Sequence, residues 1–471
     1  MRGAGAHWAR GGDESRATGG KFEDGDRIGD ANYAAKPSTG KNSRGGWRSS
    51  SFRGARFFIK RTHFDSSAQR STFTIPRVDR FGPRRRESRP VQPTMSLAGY
   101  RIIDADGHVT EPASLYSTHI DPKFRAAADA MLASAGGGNL GIVPAIHPNW
   151  RSAERPLGER DEVPGLGKLP SGRNHPLASP TGGVDPHERL IDMDREGVDV
   201  AVCFATVATS VCGVADPAME AALARAYNRW IGEYCGAAPS RIKAVGIVPQ
   251  RSMENCVAEV EYLAREPWAV GIMTFGNLDG MLADHPYFDP LYRAAAESAL
   301  PVCFHGGTDR PPFAPGRADV GNNMFLMHLT GHVWHQMRAM GAAIGGGLLE
   351  RHPKLTLGFF EGGLSWVPWW AERMDGHYTH FARHTPHLGR KPSEHMRGPR
   401  CFYTFDADED LLPEAMRMIG VERVMWASDY PHFDAEFPDA AAIVVNHPRI
   451  GAAEKRAILC DNALRFFTRI K

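Results

Sequence analysis

The sequence has few of the signals that mark secreted, membrane-spanning or dinucleotide-binding proteins. Its seven cysteines show no close C-x-x-C pairing, so we expect small core residues of a reducing, cytoplasmic compartment and not a disulfide framework. No uncharged run of about 18 or more apolar residues is present, so no transmembrane helix is predicted. The N-terminus lacks the apolar segment of a secretory signal, and no Gly-x-Gly-x-x-Gly follows the first candidate strand.

The net charge of +2 hides an asymmetry along the chain. Residues 1–94 contain 20 Lys and Arg against 9 Asp and Glu, whereas the rest of the chain contains 36 against 45. A mildly acidic body does not predict a nucleic-acid groove or a membrane-binding patch. The partner that we expect is therefore a small-molecule substrate.

Residues 1–94 are rich in Gly, Arg and Ser and show no sustained apolar period. Such a segment cannot bury enough apolar surface to offset the entropy of ordering, so a disordered basic extension is predicted. Early acidic residues argue against a transit peptide, and few aromatic residues without an Arg-Gly repeat argue against an RNA-binding tail. Two interpretations stay open: a genuine tail, or a chain whose translation starts at Met95.

From residue 100 onward, short apolar runs alternate with longer helix-like stretches. Buried strands separated by helices are typical of a parallel α/β architecture, and eight strands are the number that closes a barrel. We therefore predict a (β/α)8 TIM barrel over residues 95–471, with an open doubly wound sheet as the alternative. The predicted strands are 100–105, 198–204, 242–248, 269–274, 300–304, 355–360, 401–405 and 424–428. The predicted helices include 217–237, 253–266, 289–298, 325–351 and 454–467.

One connection is much longer than the others. Residues 109–185, between the first and second strands, contain three consecutive glycines and many prolines. A connection of this length is usually functional, so we expect an insertion that caps the site at the carboxyl ends of the strands. Asp185 and Pro186 then have the residue types of an N-cap and a first helical position.

The first strand ends with three polar side chains. Asp106 and His108 are two residues apart and should face the same way in a strand, with Asp104 on the same side one layer lower. An acidic strand end followed by glycine is also an ordinary turn. The pair becomes informative only together with residues from other strands.

Two further strands end in residues that could join this pair. His305 follows the fifth apolar run and precedes two glycines that leave room for a ligand, and Asp429 follows the eighth run. A lone histidine at such a position is often only hydrogen-bonded within the structure. Together, however, two imidazoles and two carboxylates at one barrel mouth suit Zn²⁺, Mn²⁺ or Fe²⁺.

Four motifs make the chain similar to a known family. Residues 103–112, 305–307, 360–368 and 427–432 resemble, in this order, the amidohydrolase-related metalloenzymes. The resemblance is to the branch of aminocarboxymuconate-semialdehyde decarboxylase and the resorcylate-type decarboxylases, and it covers about residues 98–470. It implies a (β/α)8 barrel, usually dimeric, with one divalent metal ion, Zn²⁺ or Mn²⁺. By position, the implied metal ligands are Asp106, His108, His305 and Asp429.

The sequence departs from that branch at two places. The first-strand pair is Asp-x-His, where His-x-His or Glu-x-His is common, and the shorter arm of Asp106 puts its coordination in question. The branch also has a catalytic histidine at the end of strand six, whereas this chain has Glu361 as the nearest ionisable residue. Glu361 is therefore the candidate for an acid/base or orienting role.

A second group of candidates surrounds the expected site. His328, His332 and His335 are spaced to share one helical face, which could line a cavity and bind a carboxylate or phenolate. The alternative is a helix whose histidines bond backbone carbonyls. Arg310 is a candidate for binding a substrate carboxylate, and His432 could lie near Asp429.

The favoured function is metal-dependent, non-oxidative decarboxylation of a small aromatic or cyclic carboxylic acid by a homodimer. Asp429, Glu361 and His328 are the catalytic candidates, and Arg310 and His332 the substrate-binding candidates. The first alternative is a hydrolase in which a metal-activated water attacks an ester, lactone or amide and Asp429 accepts the proton. A non-catalytic barrel that binds a small molecule is the second alternative.

Overall fold

The computed structural model describes residues 97–112, 114–134, 162–163, 167–168, 182–306, 324–432 and 434–471. The extension predicted over residues 1–94, most of the 109–185 insertion and Arg310 lie outside these ranges. The disorder of the extension, the capping role of the insertion and the role of Arg310 therefore stay predictions.

Eight parallel strands form one sheet in sequence order. Each strand pairs with the next along the chain, as in Ala201 beside Ile242 or Phe360 beside His305. The predicted eight-stranded α/β barrel is confirmed. Its strands are β1 Ile103–His108, β2 Val200–Phe204, β3 Ile242–Ile247, β4 Ala269–Thr274, β5 Val302–His305, β6 Leu357–Phe360, β7 Cys401–Phe405 and β8 Val424–Trp426.

The sheet closes into a barrel between β1 and the residues that follow β8. The backbone N–H of His108 donates to the carbonyl of Tyr430 at 2.6 Å, and that of Asp429 donates to Asp106 at 3.0 Å. The Ser428 hydroxyl adds a 2.6 Å hydrogen bond to the Asp104 carboxylate. This closure brings residues from the two ends of the barrel sequence to the same edge.

The barrel strands are buried along nearly their whole length, as expected for parallel strands covered by helices on the outside. Aromatic rings fill the space within and around the sheet, and the rings of Phe204 and Phe360 lie 5.0 Å apart. Gly358 leaves room for this packing, because a Cβ there would come within 2.5 Å of the rings of Phe360 and Phe466. Full burial of such a ring contributes roughly 2–3 kcal/mol.

The helices cover the outer face of the barrel, and some of them begin with a polar side-chain cap. Asp185 accepts from the N–H of His187 and Asp216 from that of Met219, which confirms the predicted cap at Asp185. The helices are α1 Leu115–His119, α2 Pro122–Ser134, α3 Pro186–Glu196, α4 Pro217–Gly236, α5 Met253–Arg265, α6 Asp289–Glu297, α7 Met324–Gly345, α8 Leu348–Arg351, α9 Val367–His380, α10 Pro392–Met396, α11 Leu412–Ile419, α12 Ala440–Asn446, α13 Ala452–Arg456 and α14 Asn462–Phe466. No helix in the described ranges is long and apolar enough to cross a membrane.

Three of the predicted elements differ most clearly from the structure. The predicted helix 325–351 is two helices, because Gly347 takes a left-handed φ of 75° between α7 and α8. The predicted helix 454–467 contains a π-helical segment, Ala457–Asp461, between α13 and α14. Strand β1 begins at Ile103, not at residue 100, and includes both Asp106 and His108.

Asp104 does not share the direction of Asp106, so that prediction is wrong. The pairing of β1 with β2 shifts register between Asp104 and Gly107, which breaks the simple alternation of side chains. Asp104 instead accepts hydrogen bonds from Ser428 and lines a small separate cavity with Arg189. Its burial raises the pKa of Asp104 to about 6, although the bonds from Ser428 act in the opposite direction.

Candidate metal centre

Strands β1 and β5 place three donor atoms around one point at the barrel mouth. Asp106 Oδ1 lies 3.4 Å from His305 Nε2 and 3.7 Å from His108 Nε2. All three side chains are 1–3% exposed, and the structure gives none of these three atoms a hydrogen-bond partner. Buried polar atoms without partners are costly, and a bound cation is one way to satisfy them together.

Asp429 adds a carboxylate from the end of β8. Its Oδ1 lies 3.4 Å from His108 Nε2, and its backbone N–H is bonded to Asp106. The residue has a left-handed φ of 54°, a conformation that costs about 1 kcal/mol or more and is often found at functional sites. The four residues that the sequence suggested as metal ligands therefore lie at one place.

The contacts of the other ring nitrogens are compatible with a divalent metal ion at this donor set. Nδ1 of His108 lies 3.2 Å from Thr206 Oγ1, and Nδ1 of His305 lies 2.6 Å from the carbonyl of Gly306. A histidine that donates through Nδ1 keeps the lone pair on Nε2 for a metal. Burial, together with the nearby His432 and His305, holds the pKa of His108 well below its usual value, which favours the neutral ligand form.

Glu361 faces the same donors from the end of β6. Its Oε2 lies 3.1 Å from His305 Nε2 and 3.6 Å from His108 Nε2, and its Oε1 lies 3.0 Å from His332 Nδ1. Burial raises the pKa of Glu361 well above its usual range, and the carboxylates of Asp429 and Asp106 raise it further. A raised pKa favours the protonated carboxyl group, which is the form that can give a proton to a substrate.

A cavity of about 300 Å³ opens beside these groups. This volume is near the lower end of the usual range for small-molecule sites. Among the described residues its lining contains no Lys or Arg, but several carboxylates and two histidines. The polar lining residues are His328, His332, Glu361, Asp406, Asp408, Ser428, Asp429, Asp434 and Glu436.

Helix α7 contributes two of its three histidines to this cavity. The rings of His328 and His332 are 4.7 Å apart, and His328 Nε2 lies 3.1 Å from Asp434 Oδ2. The hydrogen bond to Asp434 raises the pKa of His328, whereas burial lowers that of His332 well below its usual value. The prediction that His335 also lines the cavity is wrong. Its Nε2 lies 2.6 Å from the carbonyl of Phe275, and its ring points away from the cavity.

The sequence analysis assigned no role to several supporting residues. The buried carboxylate of Glu111 accepts hydrogen bonds from the backbone N–H groups of residues 206–208. The buried guanidinium of Arg189 donates to the carbonyl of His108 at 2.5 Å. These contacts join segments that are far apart in the chain, so only the folded barrel shows them.

The structure shows that His432 lies near Asp429, which the sequence analysis gave as a possibility. Its Nδ1 lies 2.7 Å from Asp429 Oδ1, and its Nε2 lies 3.1 Å from Thr206 Oγ1. The ring also stacks on that of His108, with 4.0 Å between centroids. His432 therefore belongs to the surroundings of the proposed ligands.

Comparison with known proteins finds sequence similarity to one enzyme family. The sequence model of the amidohydrolase family, Amidohydro_2, matches residues 103–469. A 2-amino-3-carboxymuconate-6-semialdehyde decarboxylase of Dictyostelium discoideum is 25% identical over 291 residues, which are 60% of this chain and 76% of that protein.

Solved structures of decarboxylases share the fold. The 5-carboxyvanillate decarboxylase of Novosphingobium aromaticivorans, in complex with manganese and 4-hydroxy-3-methoxy-5-nitrobenzoic acid, has a TM-score of 0.60 at 20% identity, over 79% of this chain and 96% of that chain. A dihydroxybenzoic acid decarboxylase of Polaromonas with manganese and 2-nitroresorcinol has a TM-score of 0.53 at 18% identity, over 79% and 98% of the two chains. At these low sequence identities, the structural similarity shows that the chains share the barrel fold.

Proposed function

The chain belongs to the amidohydrolase family, and we propose that it is a metal-dependent decarboxylase of a small aromatic or cyclic carboxylic acid. The observation that carries the proposal is the placement of the Glu361 carboxyl group against a cluster of buried metal-type donors. The names of the similar proteins support the same reaction, since they are decarboxylases of carboxylic acids.

We assign the metal ion to Asp106, His108, His305 and Asp429. When bound, a divalent ion supplies a positive charge that holds the substrate carboxylate and a neighbouring oxygen. Nε2 of each histidine faces the donor cluster, while Nδ1 is held by a neighbouring oxygen. Arg310, outside the described residues, is proposed to contact the same carboxylate.

Glu361 is proposed as the proton donor. The proton of Glu361 adds to the ring carbon that carries the carboxylate. When the bond between that carbon and the carboxylate breaks, the electron pair of the bond returns to the ring and CO₂ leaves. His332 contacts the other oxygen of Glu361, and His328 lies between His332 and Asp434 at the cavity wall. This series of groups is suited to return a proton to Glu361 after each turnover, with His332 also in contact with the bound substrate.

Hydrolysis is the second candidate, and the contact between Asp429 and His432 favours it. Asp429 Oδ1 lies 2.7 Å from His432 Nδ1, so the pair could accept the proton of an attacking water. In that reaction an ester, lactone or amide would occupy the cavity. The two reactions use the same donors and differ in the need for Glu361 as an acid.

The test compares the full chain, loaded with Mn²⁺, on 2-hydroxybenzoic acids and on matched esters and lactones. CO₂ release by the wild type should fall about 10²–10⁴-fold in Glu361→Gln, because a general acid contributes rate of this order. The bound metal, measured by elemental analysis, should stay unchanged. The control is Glu436→Gln, which removes another cavity carboxylate and should leave the rate near that of the wild type.

Two results would contradict this assignment. Hydrolysis of the esters without CO₂ release would favour the hydrolase, and loss of metal in Glu361→Gln would make Glu361 a ligand. Folded wild type that takes up no metal would exclude both reactions and favour a non-catalytic binding barrel.

The remaining assignments are also proposals. Two imidazoles and two carboxylates accept either Zn²⁺ or Mn²⁺, and the manganese in two similar structures supports the latter. The seven cysteines are unpaired and buried, which supports a reducing, cytoplasmic compartment. A homodimer can be tested by light scattering, and the two interpretations of residues 1–94 can be tested by intact mass.

A further inference from the structure

Thr206 lies between two rings that flank the proposed metal ligands. This residue follows β2, and its hydroxyl oxygen is 3.2 Å from His108 Nδ1 and 3.1 Å from His432 Nε2. His432 Nδ1 in turn is 2.7 Å from Asp429 Oδ1, which is 3.4 Å from His108 Nε2. The four side chains therefore form a closed ring that begins and ends at His108.

The protons of this ring can be counted. A threonine hydroxyl has one proton to donate and lone pairs to accept, and a neutral imidazole has one donor and one acceptor nitrogen. In one arrangement, His108 Nδ1–H donates to the Thr206 hydroxyl. That hydroxyl donates to His432 Nε2, and His432 Nδ1–H donates to Asp429. Every donor then has an acceptor, and the lone pair of His108 Nε2 stays free.

The opposite direction has a different result. If His432 Nε2–H donates to Thr206 and the hydroxyl donates to His108 Nδ1, the proton of His108 must lie on Nε2. That nitrogen then cannot bind a metal ion, and His432 presents an acceptor nitrogen to the Asp429 carboxylate. Of these two directions for neutral rings, the first serves both proposed ligands.

The fold holds Thr206 firmly in this position. The carboxylate of Glu111, which is 2% exposed, accepts from the N–H groups of Thr206 at 3.1 Å, Val207 at 2.9 Å and Ala208 at 3.0 Å. The stacking of His108 on His432 fixes the two rings that the hydroxyl contacts. A hydroxyl with this support can direct a proton to one particular nitrogen.

We propose that Thr206 is a positioning residue that sets the ring tautomers of His108 and His432 and thereby the affinity of the site for a divalent metal ion. The inference rests on the ligand set of the proposed function, but not on the reaction. Neighbours that orient metal-bound histidines typically change metal affinity or activity by 10–100-fold when they are replaced.

The experiment measures Mn²⁺ affinity of the full chain by electron paramagnetic resonance of the free ion. Thr206→Val keeps the shape and removes the hydroxyl, Thr206→Ser keeps the hydroxyl, and Thr274→Val is the matched control. Thr274 is a buried threonine at the end of β4, and its hydroxyl donates to Gln250 at 3.1 Å. Thermal melting of the metal-free proteins checks that each variant folds.

We expect Mn²⁺ to bind roughly 10–100-fold more weakly to Thr206→Val, and Thr206→Ser and Thr274→Val to bind within about threefold of the wild type. In a His432→Gln background, Thr206→Val should reduce the Mn²⁺ affinity much less, because the closed ring of four side chains is already broken. Wild-type affinity in folded Thr206→Val, no restoration by serine, or additive losses in the double variant would overturn the inference. Wild type that binds Mn²⁺ but releases no CO₂ from any acid would count against the proposed function alone.

Discussion

His335 is a buried imidazole whose ring has a structural partner instead of a place in the cavity. Its Nε2 lies 2.6 Å from the carbonyl of Phe275, and its ring stacks on Phe275 with 6.1 Å between centroids. Burial lowers the pKa of His335 from 6.5 to about 4. The residue is therefore neutral in the folded protein over a pH range in which it is charged in the unfolded chain.

This difference predicts an acid limb in the stability of the protein. Between pH values of about 6.5 and 4 the unfolded chain binds more protons at this residue, so the free energy of unfolding falls as the pH is lowered. The contribution over the whole range is roughly 3 kcal/mol. His335→Gln keeps a donor for the carbonyl but does not titrate, so its stability should fall less steeply in acid.

Urea unfolding of both proteins at several pH values, after removal of metal with a chelator, measures the difference. His395→Gln is a useful comparison, because burial also lowers the pKa of His395, which is elsewhere in the fold and contacts Glu350. Parallel acid limbs for wild type and His335→Gln would contradict the prediction.

At the same scale, the sequence predicted the residues whose chemistry is visible in a strand-end pattern. Asp106, His108, His305 and Asp429 each follow or end an apolar run, and the geometry of a barrel brings such ends together. Thr206 could not be found in this way, because a threonine in a loop gains meaning only from the partners that the fold supplies. The orientation of the His335 ring is set by packing against Phe275. The helical spacing of the three histidines gives no information about that contact.

At the scale of elements, the alternation of apolar runs and helices was sufficient to predict all eight strands. Their boundaries were less accurate, since β1 continues through Asp106 and His108 and contains a register shift that turns Asp104 away. A bulge depends on the neighbouring strand, so periodicity within one strand cannot show it. The long helix predicted over 325–351 failed for a different reason, the local backbone of Gly347.

That glycine provides a test at the scale of the element. Gly347 has a φ of 75°, and a Cβ there would lie 2.4 Å from His387 Cδ2, so Gly347→Ala should destabilise the protein by about 1–3 kcal/mol. Gly376 lies within α9, is exposed, and has no atom within 4 Å of its added Cβ. Gly376→Ala should therefore stabilise the protein by about 0.5–1 kcal/mol.

Chemical denaturation of the two variants beside the wild type gives both values. The two Gly→Ala substitutions should change the free energy of unfolding in opposite directions, because only Gly347 needs the left-handed conformation. A neutral or stabilising Gly347→Ala would show that the junction between α7 and α8 can adopt another backbone form.

At the scale of the whole molecule, metal binding and folding should be linked. The donors come from β1, β5 and the end of β8, so the unfolded chain does not present them together. A ligand that binds only the folded state, at a free concentration near 1,000 times its Kd, stabilises that state by about 4 kcal/mol. Mn²⁺ should therefore raise the free energy of unfolding by this order.

Urea unfolding with Mn²⁺ and with a chelator measures the stabilisation. His305→Ala and Asp429→Ala should abolish it, whereas His352→Ala should keep it, because that ring contacts Asp289 and none of the proposed ligands. Undiminished stabilisation of Asp429→Ala would remove that residue from the ligand set.

The closure of the barrel also has a consequence for biosynthesis. Asp104 and Ser428, which are hydrogen-bonded at the junction of β1 and β8, are separated by 324 positions in the chain. During translation the first two proposed ligands leave the ribosome long before Asp429 is synthesised. A nascent chain therefore cannot assemble the complete donor set until nearly the whole barrel has emerged, and high-affinity metal uptake becomes a late event that marks a finished protein.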